Sequence, residues 1–343
     1  MNGYIFFPLI GATALSWLFV FLIKIFSVRY SVVRHEKHGI GGRNIPLLGG
    51  VAVFLSFVVV AFSYPGLVIT GSIAAFIAGA VLLVVVGIAD DMRPLGWQSQ
   101  LIAQITAALL VVFSGISVEY INNPFGGTIR LDAIHIPIPI TDGFAIPLLG
   151  AVFVVVWLVF FANAFNWLDG TDGLAGSVGL VAALTLAVLS LRPEVMQPPV
   201  AILSSALAGC LAGFLVWNLP PARIYLGGSS AAIGFVLGAI AIFAGAKVAT
   251  AVLVFTLPFL DAIWVIAHRV ISRRSIFKKD QAHIHHRLVR RGWKPGRILF
   301  VLSAITCGAG VLAVALSGAA KFAAILLFIG VISGLFVRLE QKK

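Results

Sequence analysis

Apolar runs of about 20 residues recur along the whole chain, and one of the clearest extends from Phe144 to Phe161. Each run is about as long as an α-helix must be to cross the ~30 Å hydrocarbon core of a bilayer. Hydrophobic residues make up 60% of the 343 residues and charged residues only 10%, which excludes a water-soluble globular domain. Barrel strands would alternate in polarity over ~10 residues, so the solid runs predict an all-α polytopic membrane protein.

About eleven transmembrane helices are predicted, the first as a retained helix and not as a cleaved signal. Their approximate ranges are 5–26, 47–64, 71–89, 97–115, 144–162, 174–191, 199–217, 230–246, 248–268, 298–316 and 322–337. We expect the N-terminus outside, the C-terminus in the cytoplasm, and a single integral membrane domain over residues 1–343.

The distribution of charge supports this orientation. Only four of the 24 Lys and Arg residues fall on the outer side, namely Arg130, Arg192, Lys247 and Lys321. An excess of cations in inner loops is the positive-inside pattern of membrane proteins. The net charge of +12 therefore indicates topology, and no soluble basic domain is present to bind nucleic acid.

The longest outer segment is residues 116–143. Two short β-prone stretches, 118–121 and 128–131, flank an Asn-Pro and a Gly-Gly turn signal there. We expect a small periplasmic β-hairpin in this segment, with a structural role.

Two adjacent carboxylates, Asp90 and Asp91, end the third predicted span on the inner side. Neighbouring carboxylates repel each other unless a cation or hydrogen-bond donors neutralise them. Mg²⁺ is the expected cation, with Mn²⁺ as an alternative ion, because Mg²⁺ combines carboxylate oxygens with substrate phosphates. The other interpretation is that both residues only end one helix or cap the next in water.

A second acidic group follows the fifth predicted span on the same face. An ionisable residue near a membrane core costs a few kcal/mol, so its presence favours a functional role. Four carboxylates on one face are difficult to explain as solvation, although an Asn/Asp/Gly turn between helices stays an alternative. The polar residues of this stretch are Asn163, Asn166, Asp169, Thr171 and Asp172, with Gly170 between Asp169 and Thr171 and Gly173 after Asp172.

Two further inner segments carry residues suited to anions. In the loop 218–230, backbone amides of Gly227-Gly228-Ser229-Ser230 could bind an anion at a helix N-terminus, or the small residues could serve close helix packing. The segment 268–297 crowds three His beside cations at 283–287. Phosphate binding explains this cluster better than zinc does, because the His spacing is not i, i+4 and no Cys is nearby. Attraction to anionic lipids is expected as well.

Taken in order, these motifs resemble the polyprenyl-phosphate N-acetylhexosamine-1-phosphate transferases, a family of the glycosyltransferase 4 type. The resemblance covers nearly the whole chain. The motif His-Ile-His-His-Arg at 283–287 resembles the one found in the undecaprenyl-phosphate GlcNAc-1-phosphate transferase branch. The phospho-MurNAc-pentapeptide branch instead has three consecutive His followed by Phe-Glu, which this chain lacks. The matching stretches are Ile45–Gly50, Asp90-Asp91, Asn163–Leu174, Pro220–Gly227, Pro258–Asp261 and His283–Arg287.

The resemblance implies a Mg²⁺-dependent, multi-pass enzyme of the bacterial inner membrane with its active site on the cytoplasmic face. Such an enzyme transfers an N-acetylhexosamine-1-phosphate, with GlcNAc-1-phosphate as the first choice, from a UDP-sugar to undecaprenyl or another polyprenyl phosphate and releases UMP. The step begins the synthesis of a cell-surface polysaccharide such as O-antigen. The implied partners are UDP-N-acetylhexosamine, polyprenyl phosphate and the lipid bilayer, and a homodimer is one option for the assembly.

The resemblance also assigns roles to individual residues. Direct attack by the lipid phosphate and a covalent aspartyl intermediate both stay open. The implied catalytic and metal-binding residues are Asp90, Asp91 and Asp169. The implied substrate-binding residues are Asn163, Asn166, Gly170, Thr171, Asp172, Arg43, His283, His285, His286 and Arg287.

One departure from the family concerns 227–230, where the family reads Gly-Asp-x-Gly-Ser and the Asp is a principal Mg²⁺ ligand. This chain is one residue shorter there, and no Asp or Glu lies between Glu194 and Asp261. Either the other carboxylates and water hold the metal, or the chain is a weak or inactive relative that binds UDP-sugar or lipid phosphate. A transporter is a third option, but carboxylates confined to one face and the lack of a visible repeat disfavour it. The first inner loop also departs, with Gly41-Gly42-Arg43 in place of a tighter basic motif.

Overall fold

The computed structural model of the chain describes residues 3–30, 36–38, 43–123, 125–137, 145–244, 248–273 and 283–341. These residues form an almost entirely helical structure. The helices are α1 (Gly3–Tyr30), α2 (Gly49–Ser63), α3 (Gly71–Met92), α4 (Trp97–Phe113), α5 (Leu148–Leu168), α6 (Leu174–Ser190), α7 (Pro198–Asn218), α8 (Ser230–Phe243), α9 (Val248–Val254), α10 (Thr256–Ile271), α11 (Ile284–Arg290), α12 (Pro295–Ala315) and α13 (Gly318–Gln341).

Each predicted span falls on one of these helices or, for the ninth, on the pair α9 and α10. Six helices are long and apolar enough to cross a membrane, namely α1, α3, α5, α7, α12 and α13. The pair α9 and α10 adds a seventh candidate, which bends by 76° at its break. The helices α2, α4, α6 and α8 are apolar but shorter. The chain is therefore a multi-pass membrane protein, while the count of eleven spans and their orientation stay predictions.

The predicted hairpin is confirmed as an antiparallel pair of β3 (Tyr120–Asn122) and β4 (Thr128–Arg130), with Ile121 opposite Ile129. Its periplasmic position stays a prediction, and residues 124 and 138–143 of the predicted segment lie outside the described part. Two further hairpins were not predicted, because strands of three residues carry too little alternation to be recognised. They pair β1 (Glu36–His38) with β2 (Arg43–Ile45) and β5 (His135–Pro137) with β6 (Ala145–Pro147).

Small residues allow the helices to approach closely, and α1 against α7 is the most extensive of these pairs. A Cβ atom at Gly209 or Gly213 of α7 would overlap the carbonyl oxygens of Leu9 or Thr13 in α1. Membrane helices associate mainly through such close van der Waals packing, since lipid is as apolar as their side chains. The glycines of α7 therefore fix the position of α1.

The segment that follows α7 crosses to the start of α2 and brings a glycine-rich turn to α3. Pro220-Pro221 cannot continue the helix. Beyond them, Tyr225 N–H donates to Pro46 O at 2.9 Å, and Gly49 N–H donates to Tyr225 O at 2.8 Å. These bonds position the 3₁₀ turn Gly227–Ser229 between the ends of α3 and α5.

Candidate active site

The turn at Gly227–Ser229 holds two buried carboxylates by their oxygens. Asp91 lies in the last turn of α3 and Asp169 directly follows α5, and they are 8% and 9% exposed. Gly228 N–H lies 3.0 Å from both oxygens of Asp91, and Gly227 N–H donates to Asp169 Oδ2 at 3.2 Å. Two backbone amides therefore bring together two of the three carboxylates that were predicted to be catalytic.

Asp169 has one oxygen that the described residues leave unpartnered. Its Oδ1 atom is buried and accepts no hydrogen bond from them. Burial raises the pKa of this carboxyl well above its usual range, and the charge of Asp91 raises it further, while the Gly227 amide opposes the shift. A buried acceptor without a partner costs about 1–3 kcal/mol. The atom therefore requires a proton, a cation or a ligand.

Asp90 has a different environment from its neighbour. Its Oδ1 atom accepts from Leu95 N–H at 2.7 Å and from Gln100 Nε2 at 3.0 Å, and so it fixes the turn between α3 and α4. This matches the helix-end interpretation for one of the two residues. Among the described residues no group of three or more His, Cys, Asp and Glu side chains is placed to hold a metal ion.

The turn approaches α3 so closely that neither backbone has room for a side chain. A Cβ atom at Gly228 would lie 2.5 Å from Gly87 O, and a Cβ atom at Gly87 would lie 2.5 Å from Gly228 C and Ser229 N. Real Cβ atoms do not approach backbone atoms this closely. The position that departs from the family pattern is therefore closed to an Asp side chain in this conformation.

Asp172 connects the polar stretch 163–173 to the segment after α7 through hydrogen bonds. Its carboxylate accepts from Tyr225 OH in a short hydrogen bond and from Ala222 N–H at 3.0 Å. Buried Asn218 completes the connection, since its Oδ1 accepts from Gly173 N–H at 3.0 Å and its Nδ2 donates to Ile224 O at 2.7 Å. Asn218 and Tyr225 were not predicted as site residues, although both lie in a recognised motif.

The two Asn residues of α5 differ in their partners. Asn166 Oδ1 accepts from Ser230 Oγ at 2.6 Å, and Asn166 lines a small open cleft next to Asp90 and Gly228. Asn163 instead exchanges hydrogen bonds with Gln104, at 2.6 and 3.3 Å. Asn166 is therefore available to a ligand in the cleft, whereas Asn163 joins α5 to α4.

The His cluster begins at a buried pair. His283 Nδ1 lies 2.8 Å from Asp261 Oδ2, and Ile284 N–H donates to Asp261 Oδ1 at 2.7 Å. Because a carboxylate only accepts, the proton of a neutral His283 lies on Nδ1, which leaves Nε2 as an acceptor. Asp261 was recognised in a motif but not predicted as a site residue, and it orients both His283 and the start of α11.

His285 connects this cluster to the polar stretch after α5. It is 1% exposed, and neither ring nitrogen has a hydrogen-bond partner in the described part of the chain. Its ring lies so close to Gly170 that a Cβ atom there would overlap it. Burial lowers the pKa of His285 well below its usual value, and His286 and His283 lower it further. His285 is therefore neutral at neutral pH.

Three further predicted residues lie in different surroundings. Thr171 is 2% exposed, and its hydroxyl has no partner among the described residues. The Arg287 guanidinium lies 5.9 Å from the ring centre of Trp264. The backbone of Arg43 lies in β2, but its side chain, like Gly41 and Gly42, lies outside the described part.

Comparison with known proteins agrees with the motif order. The glycosyl transferase family 4 model matches residues 73–245, about half of the chain. The chain is 30% identical to the decaprenyl-phosphate N-acetylglucosaminephosphotransferase of Mycolicibacterium smegmatis, over 86% of this chain and 78% of that protein. It is 26% identical to the undecaprenyl-phosphate alpha-N-acetylglucosaminyl 1-phosphate transferase of Thermotoga maritima, over 84% of each.

A third relative is the probable undecaprenyl-phosphate N-acetylglucosaminyl 1-phosphate transferase of Bacillus subtilis, 25% identical over 79% of this chain and 73% of that protein. The matched range 73–245 contains both carboxylates of the buried pair and the turn that holds them. With a family match over half its length and a 30% identical relative that it largely covers, the chain belongs to glycosyl transferase family 4.

Proposed function

We propose that this protein transfers GlcNAc-1-phosphate from UDP-GlcNAc to a polyprenyl phosphate and releases UMP. The names of its relatives support the acceptor and the sugar. The observation that carries the proposal is the buried pair Asp91 and Asp169, in which Asp169 Oδ1 has no partner among the described residues. Phosphoryl transfer needs positioning and charge neutralisation more than covalent chemistry, and this pair is suited to both.

Mg²⁺ is the proposed cofactor, with Mn²⁺ as an alternative. The unpartnered oxygen of Asp169 and the adjacent Asp91 fit such an ion, because Mg²⁺ is usually bound by one or two carboxylates together with substrate phosphates. Asp91 and Asp169 would hold it, and Asp90 would contribute through its second carboxylate oxygen, Oδ2. When bound, the ion neutralises charge on the diphosphate.

The His and Arg residues of α11 would contact the sugar and phosphates of the donor. His285 is neutral, so it would offer hydrogen bonds and no charge, and Arg287 would supply the positive charge. Asp261 would keep His283 in one tautomer and one orientation. On the opposite wall, Gly170, Thr171, Asp172 and Asn166 would surround the uridine.

The location follows from the substrates. A polyprenyl carrier lies in the bilayer and a UDP-sugar is soluble, so the reaction must occur at a membrane edge. We assign that edge to the cytoplasmic face of the bacterial inner membrane. The homodimer stays a prediction.

The test is a transfer assay with purified protein in detergent, radiolabelled UDP-GlcNAc, undecaprenyl phosphate and Mg²⁺. We expect labelled lipid from the wild type, and a loss of about 100-fold or more in Asp91→Asn and Asp169→Asn. The control is Asp132→Asn, since Asp132 is paired with Arg130 beside the β3–β4 hairpin. Nucleotide binding without turnover by the wild type would contradict the proposal and favour a non-catalytic relative.

A further inference from the structure

We infer, on the basis of the proposed function, that the C-terminal end of α13 holds the donor-binding helix α11 in place. Phe336 of α13 and Arg291 at the end of α11 are then positioning residues, which act on the donor diphosphate through Arg287. Neither residue lies in a motif recognised in the sequence, since the last of these motifs ends at Arg287. Both also lie beyond residues 73–245, the range that the family model matches.

The first contact is a pair of stacked rings beside Arg287. Trp264 of α10 and Phe336 of α13 have their ring centres 5.0 Å apart, with 13° between their planes, and Phe336 is fully buried. The Arg287 guanidinium lies 5.9 Å from the centre of each ring. An aromatic ring attracts a cation within about 6 Å of its centre, so the two rings favour one placement of the guanidinium.

The second contact is at the end of α13 itself. The last four C=O groups of a helix have no partner within the helix, and they form the negative end of its dipole. In α13 they include the carbonyl oxygens of Arg338 and Leu339, to which Arg291 Nη2 donates at 3.0 and 2.8 Å. The backbone N–H of Arg291 donates to Arg287 O at 3.3 Å and so ends α11. Arg291 therefore joins the ends of the two helices.

The two contacts lie on the same side of α11. Arg287 and Arg291 are four residues apart, and residues with this spacing are neighbours on one helix face. On α10, Asp261 holds the start of α11, and Trp264 follows it by about one turn. Because α11 has only seven residues, it cannot be stable as an isolated helix, and its position depends on the helices that it packs against.

The expected consequence concerns binding of the donor. A guanidinium presents its N–H groups in a fixed fork that matches phosphate, and contact with a ring does not use those groups. An Arg side chain that is already held in place loses less conformational entropy when the diphosphate binds. Loss of either contact should therefore weaken binding of the UDP-sugar, and it should leave binding of the lipid phosphate nearly unchanged.

The test uses two variants in the transfer assay. Phe336→Leu keeps most of the buried apolar volume but removes the ring, and Arg291→Gln removes the positive charge. We expect the KM for UDP-GlcNAc to rise ~10-fold or more in both variants, while the KM for undecaprenyl phosphate changes by less than ~2-fold. A purely structural defect would reduce the amount of active enzyme, and this lowers the maximal rate without changing either KM.

Two controls make the result specific. Phe328 lies about two turns earlier in α13 and faces Gly308 of α12, so Phe328→Leu should keep the KM values of the wild type. Arg291→Lys, which keeps a cationic donor, should recover most of the affinity that Arg291→Gln loses.

A wild-type KM for UDP-GlcNAc in Phe336→Leu, or an equal rise in the KM of both substrates, would overturn the inference and leave the proposed function standing. A wild-type protein that forms no labelled lipid would overturn the proposed function, and the inference with it.

Discussion

Because Gly87 and Gly228 are in close contact, a substitution that adds a single methyl group can test the site. In Gly87→Ala, the new Cβ atom lies 2.5 Å from Gly228 C and Ser229 N, whereas ordinary contacts begin at 3.4 Å. Both are backbone atoms, so the turn must move away from α3 by roughly 1 Å. The movement would take Gly228 N–H away from Asp91.

The expected effects on stability and on activity differ in size. Overpacking costs about 1–3 kcal/mol, and the better helix propensity of Ala offsets roughly 1 kcal/mol of it. The loss of stability is therefore about 0–2 kcal/mol. A misplacement of ~1 Å at reacting groups can cost about 100-fold in rate, so activity should fall much more than stability.

The assay is the rate of labelled lipid formation per molecule of folded, monodisperse protein, with thermal unfolding followed in parallel. Gly71→Ala is the matched control, because Gly71 begins the same helix and a Cβ atom there meets nothing within 4 Å. The control should keep the activity of the wild type. If Gly87→Ala also kept it, the turn would not be the element that positions the carboxylates.

Three further predictions concern single side chains. Burial raises the pKa of Asp169 in the folded state, so this residue lowers stability progressively as pH rises from the unfolded-state pKa toward the folded one. Asp169→Asn should therefore abolish transfer yet raise the unfolding temperature, in chelator, by an amount that grows as the pH rises above the unfolded-state pKa of an Asp; a gain that shrinks with pH would contradict the effect of burial on this carboxyl. Asp261→Asn removes the carboxylate that orients His283, and steady-state kinetics should give a fall of about 10- to 100-fold in kcat/KM, whereas unchanged kinetics would exclude His283 from the site. Tyr225→Phe removes the hydroxyl that donates to Asp172, and denaturation should show a loss of about 1.5–3 kcal/mol; a neutral substitution would mean that this bond does not hold the segment after α7.

The helices were predictable because each needs a long apolar run, and such a run can be recognised in the sequence without knowing which helix it packs against. The different tasks of Asp90 and Asp91 were not predictable in the same way. Successive residues on a helix point about 100° apart, so adjacent acids at a helix end face different neighbours. Only the packed structure shows that one meets the α4 turn and the other meets Gly228.

The candidate site was predicted as a set of motifs, and its connections came from the fold. Gly170 and His285 are more than one hundred residues apart in the chain, and nothing in either motif indicates that the ring packs on that glycine. The departure at Gly228 was visible in the sequence, but the close approach of the Gly87 backbone to this position was not. Isolated polar residues such as Asn218 carry no periodic signal, so their buried bonds were missed.

The most direct test of the proposed sugar-1-phosphate transfer uses a donor substrate that carries two radioactive labels. UDP-GlcNAc carrying ³²P in its β-phosphate and ³H in the sugar is incubated with the protein, undecaprenyl phosphate and Mg²⁺, and the lipid and aqueous products are separated. Transfer of sugar-1-phosphate predicts that both labels enter the lipid in a constant ratio and that UMP is the nucleotide released. Lipid that contains ³H without ³²P, with labelled UDP in the aqueous phase, would contradict the account.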